Sequence, residues 1–127
     1  VRKGLLLPAA LLAAILAFCL WNSAAMTAGA ARWRAQLEEA DRLAQAGDWE
    51  GAAAAIRRGY ADWSAGQTWL HIVANHDAVD GAEAMYHRAL AFAQSREDSE
   101  LRAELADLRD QLRLLAEMEE FSLRNVL

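Results

Sequence analysis

No charged residue occurs between Gly4 and Ala31, and a tract of that composition is either a membrane anchor or a cleaved export signal. Its apolar centre, LLLPAALLAAILAFCLW from Leu5 to Trp21, reaches about 25 Å as a helix. Extension through Met26 brings it to about 33 Å, enough to cross a hydrocarbon core of about 30 Å. Pro8 is expected in the first turn, where its missing N–H does no harm. Trp21 and Trp33 are expected as anchors at the far membrane interface.

A cleaved signal is the competing reading, because Arg2 and Lys3 precede the apolar run and Ala28-Gly29-Ala30 offers a small-x-small cleavage pattern. The run is longer than an ordinary signal core, and a further uncharged stretch separates Trp21 from Arg32, which favours an anchor. Leu16-Ala17-Phe18-Cys19 has the outline of a lipobox, but Phe18 stands where a small residue is needed, so Cys19 reads as apolar filler. The short basic tail before the run has the form of a signal anchor, although Arg32, Arg34 and Arg42 weaken the charge bias. The expected location is the cell membrane, single-pass, with the following domain extracytoplasmic. Residues 1–30 then form the tail and span, and residues 31–127 the domain. Membrane lipid is the first expected partner. Ala9, Ala13 and Ala17 form a small face at spacing four that could meet a second helix, of another copy or another membrane protein, although the plainer reading is that an Ala/Leu-rich span carries such a face by chance.

Beyond the tract the character of the chain changes. Arg32 to Leu127 holds all 18 acidic residues and 11 of the 13 basic ones, a net charge of −7. With a single lysine in the chain, no basic stripe exists to displace counterions from phosphates, which argues against duplex nucleic acid, and no nucleic acid is expected as a partner. The lone cysteine excludes an internal disulfide, and helix packing must hold the domain together.

No proline follows Pro8, and long helices are the expectation. The first spans about Ala31 to Ala46 and ends at Gly47, with Asp48 capping the second, about Trp49 to Ser64. Gly66 permits a bend before a third, about Gln67 to Gln94, whose stripe runs through Trp69, Ile72, His76, Val79, Glu83, Tyr86, Leu90 and Ala93. Ser95 to Asp98 fits a capping box. Leu101, Leu105, Leu108, Leu112 and Leu115 then alternate steps of four and three, followed by Met118 and Phe121. The fold class is therefore all-α: an N-terminal transmembrane helix followed by a small antiparallel helical bundle.

Chemistry is sparse. No phosphate loop, paired-cysteine site or nucleophile with a spaced base is present. His76, Asp80, Glu83 and His87 lie at spacings of four, three and four, along one side of a helix, and mix imidazole with carboxylate as a divalent metal such as zinc requires. The competing reading is structural, with each histidine hydrogen-bonded to the carboxylate one turn away. Glu100, Glu104, Asp107 and Asp110 read as the solvated side of the leucine helix, and the tryptophans as anchors and core.

The segment Trp69-Leu-His-Ile-Val-Ala-Asn-His76-Asp-Ala-Val-Asp80, then Glu83, and the ending Glu120-Phe-Ser-Leu-Arg-Asn125-Val-Leu127 resemble a bacterial family of short membrane-anchored proteins, domain of unknown function 4363. Val126 and Leu127 stand where that family closes on Ile-Phe. The resemblance implies an all-helical, membrane-attached protein, transfers no activity or cofactor, and directs attention to His76, Glu83 and Asn125. Without a catalytic grouping, the expected function is a non-enzymatic module for protein interaction or membrane assembly; the alternative is divalent-metal binding or sensing.

Overall fold

A computed structural model describes the backbone of residues 2–67 and 69–126, and the side chains of all but residues 1–3, 26, 68–71 and 122–127. Five helices follow one another: α1 (Arg2–Gln45), α2 (Trp49–Ala65), α3 (Trp69–Ala74), α4 (His76–Gln94) and α5 (Asp98–Val126). The fold is all-α, as expected. Helices α1, α2, α4 and α5 form an antiparallel ring in which α1 lies against α2 and α5, and α4 against α5 and α2.

α1 has two parts of different surroundings without a break. Its first part projects from the bundle, with Leu5, Leu7, Leu12, Ile15 and Phe18 exposed. This part is long and apolar enough to cross a membrane, and none of its most apolar window is buried against the bundle. Pro8 stands inside the helix rather than in its first turn, because the helical backbone already begins at Arg2. Burial starts at Asn22 and Ser23 and continues through Ala30, Trp33, Leu37, Ala40 and Ala44. The division expected at residue 30 therefore falls within a continuous helix, whose residues from Asn22 onward belong to the bundle wall.

Trp33 is a correction of the interfacial-anchor reading. Its side chain is buried in the core, and its ring lies so close to two glycines that a Cβ at Gly29 or at Gly66 would come within 2.6 Å of it. Spacings of four, three and four place Trp33, Leu37, Ala40 and Ala44 on one helical face, and that face points at the bundle. The absence of charge before Arg32 marks solvent preference, and an inward-facing helical stripe needs none.

Two turns close the outer end. At the first, Gly47 has φ 83°, its N–H donates to the Ala44 carbonyl, and the Asp48 N–H donates to that of Leu43, a Schellman arrangement. The Asp48 carboxylate then accepts from the Gly51 N–H at 2.9 Å and caps α2. The second turn repeats the pattern with Arg96 at φ 55°, where Arg96 N–H reaches the Ala93 carbonyl and Glu97 N–H that of Phe92. Ser95 is thus the C-cap of α4, and the expected capping box is a helix stop. The expected third helix is also divided, with Asn75 separating α3 from α4 as the N-cap residue of α4.

The core joins the leucine stripe of α5 to alanines and aromatic plugs. Leu101, Leu105, Leu108, Leu112 and Leu115 are all buried. Ala82, Ala89 and Ala93 let α4 approach closely, and Tyr86 fills the space they leave, 5.2 Å from the Trp63 ring and 5.6 Å from that of Tyr60. Burial drives the Tyr86 hydroxyl pKa upward. Polar ties set the helix register: Asn22 to Glu119 at 2.7 Å, Gln45 to Asp98 at 3.0 Å and Arg88 to Glu104 at 2.6 Å. Glu104, expected to face solvent, is only 12% exposed because Arg88 reaches across from α4 and covers it.

Candidate functional site

The four candidate ligands do share one side of α4, but the helix spreads them out. From His76 to His87 the rise is about 16 Å, so no one ion can be reached by all four. His76 Nε2 lies 3.1 Å from the exposed Asp77 carboxylate, Asp80 is exposed, and the His87 ring rests 5.2 Å from that of Tyr60. Glu83 accepts a hydrogen bond from the Tyr60 hydroxyl at 2.6 Å. That bond, foremost, holds the Tyr60 pKa above its ordinary value, with burial and the carboxylate charge adding to it. Among the described residues, no three His, Cys, Asp or Glu side chains converge as an ion would need. The geometry is that of an α2–α4 tie: Glu83 meets a tyrosine of another helix, a partner that spacing along α4 does not reveal. The Trp69 and Asn125 side chains lie outside the described residues.

A concavity lies at the opposite end of α4. A cleft of about 470 Å³ opens between the start of α2 and the α4–α5 turn, lined by Trp49, Glu50, Ala53, Arg57, Ala93, Gln94 and Arg96. Asp48 positions Trp49 by starting α2 there, and Ala53 and Ala93 keep the floor shallow. Arg57 and Arg96 are exposed on its two walls, and neither pairs with an acid among the described residues. Arg32, by contrast, donates to Asp62 at 2.7 Å and holds that carboxyl below its usual pKa, helped by Gln36. Two unpaired guanidinium groups beside an indole suit a carboxylate-bearing or aromatic ligand. The sequence carries half of this signal: no acid stands three or four residues from Arg57. Arg96 reaches the cleft only through the turn.

Comparison with known families bears on the whole bundle. The model of the family described as Domain of unknown function (DUF4363) matches residues 20–126. The chain belongs to this family. No curated protein and no solved structure matches it. The DUF4363 match opens two residues before Asn22, where α1 enters the core. The matched region and the packed bundle are therefore one unit, with the projecting apolar helix before it.

Proposed function

We propose that this chain is a membrane-anchored, non-enzymatic helical module, single-pass with its bundle outside the cytoplasm, that holds an acidic segment of a partner protein in the cleft of Trp49, Arg57 and Arg96. The observation that carries the proposal is the pair of unpaired arginines facing one cleft of a domain whose net charge is −7. A surface of mostly one sign with a local patch of the other selects oppositely charged partners and repels like ones. The continuous α1 supports anchoring: cleavage after Ala30 would remove Asn22, Ser23 and Ala30 from the core they help to fill.

The test is photo-crosslinking of the full chain in its membrane, with the reactive residue placed at exposed Glu50 beside the cleft and, as a control, at exposed Asp107. A discrete adduct at Glu50, absent at Asp107 and lost in the double variant Arg57→Glu, Arg96→Glu, is expected. An adduct that survives the double charge reversal, or none at all, contradicts the cleft as the binding surface. A cysteine at Glu100 in a Cys19→Ala chain should react with a membrane-impermeant thiol reagent on intact cells. Protection until lysis would place the bundle inside.

A further inference from the structure

We infer that the membrane-proximal base of the bundle, formed by α3 and the end of α5, is itself a lipid-binding surface, with Ile72, Val73 and Phe121 seated at the boundary between headgroups and acyl chains. The inference rests on the reading of α1 as a span, and adds a second, separate membrane contact.

Register supplies the argument. Asn22 donates to Glu119 at 2.7 Å, which sets the two residues at one height along the antiparallel α1 and α5. Phe121 comes two residues later, about 3 Å nearer the span, and therefore stands level with Leu20, inside the end of the apolar run and one residue from Trp21. α3 reaches the same height by another route. Ala74 at its end and Met118 of α5 line one cavity of about 250 Å³, and Met118 is the neighbour of Glu119 in sequence. α3 thus ends close to the plane at which α1 leaves the apolar segment, and α5 crosses that plane near Phe121 before it ends at Val126.

The exposed side chains at that plane are the wrong kind for water. Trp21 is 64% exposed, Phe121 65%, Val73 55% and Ile72 41%. Beyond Trp21, the large exposed apolar side chains among the described residues are these of α3 and α5 together with Leu114, which sits about 10 Å above Phe121 on α5. None lies at the outer end. Single exposed apolar residues are ordinary, but a group gathered at one end beside a span is an interaction surface.

Charge selects the mode of contact. Asp77 and Glu120 are exposed near the base, so attraction to anionic headgroups does not drive it. Apolar insertion into a zwitterionic surface does, and the contact is expected to persist at high salt.

The experiment reads depth in the bilayer. Full-length chains carrying Cys19→Ala and one nitroxide-labelled cysteine, at Ile72, Val73, Phe121, Leu12 or Glu100, are reconstituted into phosphatidylcholine vesicles. Accessibility to oxygen and to a water-soluble nickel chelate is then compared. Leu12 reports the span, and Glu100 the outer end. Labels at Val73 and Phe121 are expected to favour oxygen over nickel several-fold relative to Glu100, at a depth of about 5–10 Å, and Ile72 to follow Val73. If Leu12 reads deep while Val73 and Phe121 behave like Glu100, the span stands and the lipid seat is overturned. If Leu12 also behaves like Glu100, span and seat fall together. Low accessibility to both reagents at Val73, with spin–spin broadening, would mean that a second copy covers the base, which overturns a lipid occupant.

Discussion

Trp33 is held from two sides by the absence of side chains. A Cβ at Gly66 would come within 2.6 Å of its ring, and the Gly29 contact on the other side blocks retreat. Gly66→Ala should therefore cost about 1–3 kcal/mol through overpacking. Gly81, inside α4, is the contrasting site: a Cβ there meets its nearest neighbour, the Gln111 amide, at an ordinary 3.5 Å. Gly81→Ala should raise stability by about 1 kcal/mol through helix propensity alone. Chemical denaturation of the two full-length variants in detergent, followed by circular dichroism, should give opposite signs. Arg96, in the left-handed region at φ 55°, carries a penalty that glycine avoids. Arg96→Gly should stabilise the fold by about 1 kcal/mol in the same measurement, while losing the cleft guanidinium that crosslinking at Glu50 depends on. Asp62 gives the pH dependence. Its pKa is lowered in the fold, chiefly by Arg32, so its contribution is present above the ordinary carboxylate range and is lost as pH falls through the depressed value. Asp62→Asn should flatten the acid side of the stability curve and change little in its slope near pH 7; an unchanged acid limb would show that the Arg32 pair is immaterial.

The elements differ in how readily the sequence shows them, and the reason is where each one finds its partners. The α5 stripe is plain because five leucines at steps of four and three must share a face, and all five are buried. Leu108→Ala should cost about 2–5 kcal/mol, since neighbouring alanines cannot close the cavity. A loss below about 1 kcal/mol on denaturation would mean that α5 is not the core helix described. Glu104 could not be placed from α5 alone, because what covers it is Arg88 of α4. Ser95 to Asp98 matches a capping box in letters, yet the chain uses it to end α4, with Glu97 N–H returning to the Phe92 carbonyl. Both uses want small or acidic residues at a helix boundary, so composition locates the boundary and leaves its geometry open. Asn75 shows the converse: one polar residue between two helical segments carries too little local signal to announce a break.

At the scale of the molecule, charge and helix obey different rules. The uncharged tract stops at Ala31, and the sequence invites a boundary there, but α1 runs through it from Arg2 to Gln45. Helical hydrogen bonds pass from lipid-suited to core-suited residues without interruption, while the surroundings change near Asn22. The all-helical class, the helix order and the leucine core follow from periodicity. The base at Ile72, Val73 and Phe121 does not, because it depends on register between three helices, and His76 and Glu83 remain near one another in sequence while serving different contacts. One continuous helix, apolar enough at its start to cross a membrane and forming a bundle wall at its end, underlies the proposed anchoring and the proposed lipid seat. Intact-mass analysis of the chain expressed in a bacterium, after a carbonate wash and detergent extraction of its membranes, tests it directly. The whole 14.0 kDa chain is expected in the membrane fraction; a soluble product beginning at Ala31 would contradict it.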